Sequence, residues 1–76
     1  MILIDLKLFV TLDQYLPRNN EAYEIPEGTT IKDLMDNLGI PAEIVKLIFI
    51  NGKKQDKTYC LQHRDRVGLF PPVGGG

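Results

Sequence analysis

The chain opens on a strict alternation. Ile2, Ile4, Leu6, Leu8 and Val10 are separated by Leu3, Asp5, Lys7 and Phe9. A period of two marks a strand with one buried face, so the even positions are expected to face a core. Phe9 then falls on the other face beside Lys7, where a large aromatic is out of place. Leu12 and Leu16 sit in a looser segment closed by Pro17, and positions 18–21 are polar and turn-like. Ala22 to Ile25 reads as a short strand ended by Pro26-Glu27-Gly28. From Ile31 the period changes: Ile31, Leu34, Met35 and Leu38 give one apolar helical face. Thr29 or Thr30 starts the helix, and Thr30 with Asp33 is close to a capping box, with Asp in place of the usual Glu or Gln. Gly39 suits the helix end and Pro41 forbids continuation. Ala42 to Val45 has room for one further helical turn.

The second half returns to strands. Lys46 to Ile50 is apolar from Leu47 onwards, as in a strand covered on much of both faces. Asn51-Gly52 is a strong hairpin signal, with Lys53 to Gln55 beginning the return strand. Tyr59 and Leu61 are the anchors expected in the polar stretch that follows. Arg66 to Phe70 is the last strand; if Val67 and Leu69 face the core, then Arg66, Gly68 and Phe70 share the other face. Strand, strand, helix, strand, short strand, strand is an α+β pattern, in which one helix covers one face of a mixed sheet of four to five strands.

Composition narrows the function classes. The 76 residues are enough for one domain, and a 43% apolar content supplies a core without staples. A formal net charge of −1 leaves no basic excess for phosphates, which argues against nucleic acid. The single cysteine excludes an internal disulfide and fits a reducing compartment. No apolar run reaches membrane-spanning length, and a cytoplasmic, soluble protein is expected.

Candidate chemistry within residues 1–72 is sparse. Cys60 has no partner at a recognisable motif spacing and reads as a small buried hydrophobe. His63 reads as a solvated loop side chain, and no residues show metal-ligand spacing. Lys53, Lys54 and Lys57 form a small basic cluster, either a solvated turn or a rim for an acidic partner. Nothing here assembles an active site, so the chain is expected to be a substrate or carrier for enzymes and not itself an enzyme.

The tail is the exception. Phe70-Pro71-Pro72-Val73-Gly74-Gly75-Gly76 passes from a strand, through a stiff Pro-Pro pair, to three glycines. Pro71 and Pro72 favour an extended exit, and Val73 offers one apolar handle. The glycines can thread a channel closed to any side chain. Residues 73–76 extend to roughly 13 Å, at about 3.3 Å each. Such a thread delivers a carboxylate at Gly76, with no β-carbon crowding the acyl carbon.

Several motifs carry a resemblance over essentially the whole chain. They are Leu6-Lys7-Leu8-Phe9, Glu27-Gly28-Thr29-Thr30, Phe49-Ile50-Asn51-Gly52, Asp65-Arg66-Val67 and Phe70-Pro71-Pro72-Val73 before the glycines. In these the sequence resembles the small-subunit sulfur carriers of molybdopterin synthase, within the group that includes the thiamin sulfur carriers. The resemblance implies a β-grasp, ubiquitin-like domain over residues 1–72 and a flexible tail over 73–76. It implies first and last strands parallel and adjacent at the sheet centre, which places Phe9 and Phe70 together on the uncovered face. With Pro71 and Pro72 they would form the partner-binding surface, while Val73, Gly74 and Gly75 thread the partner's channel. It also implies a cycle: an E1-like enzyme spends ATP to adenylate the Gly76 carboxylate, a sulfur donor converts it to a thiocarboxylate, and in the large subunit of molybdopterin synthase the tail gives its sulfur to a cyclic pterin precursor. The carrier is expected to bind no cofactor, metal, nucleic acid or membrane, and to be a monomer when free.

Two positions depart from the family pattern. Members often carry a glycine before the aspartate of the last strand; here Arg64 precedes Asp65, so the loop is expected to turn otherwise. Gly74 stands where the molybdopterin branch often has Thr or Ser. A triple glycine also suits carriers for other acceptors, in thiamin thiazole, tungsten-pterin, cysteine or tRNA pathways. A ubiquitin-like modifier forming isopeptide bonds, and a plain interaction domain, remain as alternatives.

Overall fold

The computed structural model describes residues 1–72. Its strands are β1 (Ile2–Leu8), β2 (Tyr23–Ile25), β3 (Leu47–Ile50), β4 (Lys53–Lys54) and β5 (Arg66–Phe70), with one helix, α1 (Ile31–Leu38). Short 3-10 turns occupy Val10–Tyr15, Asn20–Ala22 and Ala42–Ile44. The sheet runs β2-β1-β5-β3-β4, with β1 and β5 parallel at its centre and the other neighbours antiparallel. This is the expected arrangement of mixed sheet and single helix.

The alternation of β1 sets the layers. Ile2, Ile4, Leu6 and Leu8 are buried, together with Val67 and Leu69 of β5 and Ile48 and Ile50 of β3. On this face Ile31, Leu34 and Met35 of α1 join the same core cluster. The helix begins where its cap is complete: the Thr30 hydroxyl accepts from the Asp33 N–H, and the Asp33 carboxylate accepts from the Thr30 N–H, both at 3.2 Å. It ends at Gly39, whose φ of 75° is left-handed. Asn51 and Gly52 have φ of 53° and 83°, the two positive angles of the tight hairpin expected there.

Two local expectations are corrected. Val10 does not continue the buried row. The strand stops at Leu8, and Val10 is 64% exposed with a left-handed φ of 55°, a costly conformation for a β-branched residue. That bend starts the 3-10 turn which drops Leu12 fully into the core. The loop before Asp65 does not turn otherwise for want of glycine. Arg64 itself adopts a φ of 74°, and its N–H donates to the Leu3 carbonyl at 2.7 Å.

Arg64→Gly is therefore expected to stabilise the domain. Left-handed backbone costs a non-glycine residue roughly 1–2 kcal/mol, and the added freedom of glycine when unfolded returns about 0.5–1 kcal/mol. The difference should raise the melting temperature by about 4 °C in a domain of this size. A lowered melting temperature would contradict the assigned conformation.

Candidate functional site

The face of the sheet away from α1 is built in rows by the strand register. Lys7 pairs with Gly68, and Gly68 with Phe49. One step towards the C-terminal end of β5, Leu47 pairs with Phe70. The parallel register continues past Leu8↔Leu69 through the Phe9 N–H, which donates to the Leu69 carbonyl at 3.1 Å. Phe9 thus lands beside Phe70. Their rings stack with centroids 4.2 Å apart and planes within 3°. Phe49 meets Phe70 edge-on at 5.6 Å. Such pairs are worth about 0.5–1.5 kcal/mol beyond the area they bury.

Gly68 is the floor of this arrangement. A β-carbon there would sit 3.4 Å from Phe9 Cε2 and 3.8 Å from Phe70 Cε1. Its absence leaves a groove of about 500 Å³, walled by Phe9, Phe49 and Phe70 and bordered by Lys7 and Arg66. Phe9 is 36% exposed, and Phe49 and Phe70 are half-buried.

Next to Arg66 in the chain lies Asp65, which is 5% exposed. Its carboxylate accepts from Asn51 Nδ2 at 2.9 Å, the Gln62 N–H at 2.9 Å and the Tyr59 hydroxyl at 3.1 Å. Asn51 Oδ1 accepts from the Arg66 N–H at 2.9 Å, so the hairpin tip is tied to the start of β5. Burial, and then donation to Asp65, hold the Tyr59 hydroxyl above the ordinary tyrosine value of 10.0.

The chain leaves this face at the end of β5. The Phe70 carbonyl accepts from the Lys46 N–H at 2.8 Å, Pro71 is buried, and Pro72 is exposed. Of the two prolines expected to meet a partner, only Pro72 offers surface. Val73, Gly74, Gly75 and Gly76 lie outside the described residues. Phe49 was not among the expected contact residues. Its run, Leu47–Ile50, is apolar throughout, so no polar neighbour marks which positions face outwards. The signal that was available is the hairpin register, which aligns Phe49 with Gly68.

The remaining candidates fall into structural places. Cys60 is not buried as expected but exposed: it sits at the isolated bridge to Thr30 that precedes α1, outside the core cluster. His63 is not merely solvated: its Nδ1 accepts from the Leu3 N–H at 3.0 Å. Lys53, Lys54 and Lys57 are exposed. Among the described residues no group of His, Cys, Asp or Glu is placed to hold a metal ion, and no helix is long and apolar enough to cross a membrane.

Comparison with known proteins adds four findings. The model of the ThiS family matches residues 6–76. A solved structure titled putative molybdopterin converting factor, subunit 1, from Pyrococcus furiosus is 26% identical, with a TM-score of 0.74 over 96% of this chain and 100% of that one. The small archaeal modifier protein 1 of Haloferax volcanii has a TM-score of 0.71 at 19% identity, over 96% of this chain and 100% of that one, a likeness of fold. Among curated proteins, a threonine–tRNA ligase of Protochlamydia amoebophila is 41% identical over 54 residues. That match takes in 70% of this chain but only 8% of the ligase's length.

Proposed function

The chain belongs to the ThiS family, with the β-grasp fold of the ubiquitin-like sulfur carriers, and from that premise we propose that it carries sulfur on the Gly76 carboxylate. The observation that carries this reading is the extent of the family match, which runs through the glycine tail to residue 76. In the first step a carboxylate oxygen attacks the α-phosphate of ATP on an E1-like partner enzyme, and pyrophosphate leaves. In the second, hydrosulfide-level sulfur from a donor attacks the acyl carbon and AMP leaves, giving the thiocarboxylate. Carboxylate oxygen is a poor leaving group, so activation must come first. The partner supplies electrostatic stabilisation, and the carrier supplies reach and position. ATP therefore belongs to the partner, and the carrier is a substrate and not an enzyme.

The acceptor we propose is a cyclic pterin precursor held by the large subunit of a molybdopterin synthase. Phe70-Pro71-Pro72-Val73 and the likeness to the Pyrococcus furiosus protein support that choice. The test is a denaturing gel containing an organomercury layer, run after incubation with ATP, the adenylating enzyme of the same genome and a sulfide source. A single retarded band at the carrier's own size is expected. A ladder of larger covalent conjugates with no retarded band would instead make the chain a protein modifier.

The aromatic face is the proposed docking surface for these partners. Phe9→Ala should weaken binding to the adenylating enzyme by about 1–3 kcal/mol, the range of an aromatic anchor. Loss of the stack on Phe70 should cost the fold about 0.5–1.5 kcal/mol beyond the area it buries, a few degrees of melting temperature. A large drop in melting temperature with unchanged affinity would make Phe9 a core residue instead.

A further inference from the structure

We propose that the groove over Gly68 seats an apolar side chain of a partner protein segment whose flanking residues are carboxylates. The inference rests on the docking role of the aromatic face and specifies what that face accepts. Two cations, Lys7 and Arg66, border the groove, and no acidic residue lines it. Both cations are exposed, and neither forms an ion pair among the described residues, where Lys32–Asp36 is the pair present. Asp5 is in register with Arg66 but makes no ion pair with it and lies outside the groove. A chain with a net charge of −1 has thus gathered around its exposed aromatic face two positive charges that are unpaired among the described residues.

The chemistry of the walls selects a protein segment. The backbone beneath the groove is committed to the β1–β5 and β3–β5 ladders, so it offers few convergent donors or acceptors to orient a free small molecule. The three rings and the bare glycine floor offer apolar contact, and the cations offer attraction around it. That is a hydrophobic centre with a charged rim, the anatomy of a protein interface. Stacking of nucleic-acid bases needs a longer track of cations along the backbone than two residues provide.

The test uses the ¹⁵N-labelled chain and three ligands: the blocked peptides Asp-Glu-Phe-Asp-Glu and Lys-Arg-Phe-Lys-Arg, and a short oligothymidylate. The acidic peptide should shift the amide signals of Lys7, Phe49, Arg66 and Gly68, and the other two should not. Its affinity should fall about tenfold in the Lys7→Glu/Arg66→Glu variant, where two attractions become repulsions. It should also fall at about 0.3 M salt, where exposed charges are screened. Both substitutions are on exposed side chains, and a dispersed spectrum confirms that the variant is folded. Equal shifts from the two peptides, shifts from the oligothymidylate alone, or no shifts at all would overturn the proposal. Sulfur transfer is not measured in this experiment, so its failure leaves the carrier reading standing, and failure of the carrier reading leaves it intact.

Discussion

Deletion of Gly76 is expected to leave the fold unchanged and to lower carrier-dependent ATP–pyrophosphate exchange by about 100-fold or more. The deletion still leaves a glycine carboxylate, so the nucleophile is chemically the same. What changes is reach. One residue of extended chain is roughly 3.5 Å, while attack on the α-phosphate needs an approach near 3 Å, and misplacement by about 1 Å already costs on the order of 10²-fold. The chain cannot recover the distance by moving, because Pro71 is buried and β5 is locked between β1 and β3. Gly75→Val should fail for a different reason, since a branched side chain would meet the wall of the narrow partner channel that the proposed function requires. Melting curves should superimpose for all three proteins. Equal exchange rates would mean that residues 73–76 do not set the distance to the nucleotide.

Asp65→Ala should have the largest effect on stability. Asp65 lies outside the main apolar cluster, yet it is 5% exposed and accepts three hydrogen bonds. Removing the carboxylate strands the Gln62 N–H, the Tyr59 hydroxyl and the Asn51 amide, each at about 1–3 kcal/mol less whatever water returns. A net loss near 3 kcal/mol is expected, which in a domain of this size lowers the melting temperature by about 15 °C. Tyr59 adds a check on pH. Its hydroxyl is held above 10.0 in the folded chain, so its contribution is full below pH 10 and disappears as the pH rises through the folded value. Tyr59→Phe should remove that alkaline loss. If Asp65→Ala melts with the wild type, the carboxylate does not tie the hairpin to β5.

Much of this fold was legible because its signals are local. The period of two in β1, the Thr30–Asp33 cap and Asn51-Gly52 each fix one element from a few neighbouring residues. The juxtaposition of Phe9 and Phe70 could be reached too, once β1 and β5 were placed side by side. What escaped depends on geometry that no local pattern encodes. Val10 sits at an even position but falls beyond the strand end, where a left-handed bend takes it to the surface. Arg64 occupies a backbone conformation that its side chain gives no hint of. Asp65 stood out in the sequence as part of a motif, but its role comes from Asn51, Tyr59 and Gln62 converging on it. Phe49 was hidden in an apolar run and becomes part of the groove only through its register with Gly68. Pro71 looked like surface from its place before the tail, and the structure buries it.

The central claim is that Gly76 carries sulfur, and intact-protein mass spectrometry tests it most directly. The wild-type chain would be incubated with ATP, the adenylating enzyme of the same genome and sulfide, and then weighed. The account predicts that one terminal oxygen is replaced by sulfur, that the change requires ATP, and that it localises to Gly76 on fragmentation. A chain whose mass is unchanged while the enzyme consumes ATP in its presence, or a sulfur found anywhere but Gly76, would contradict it.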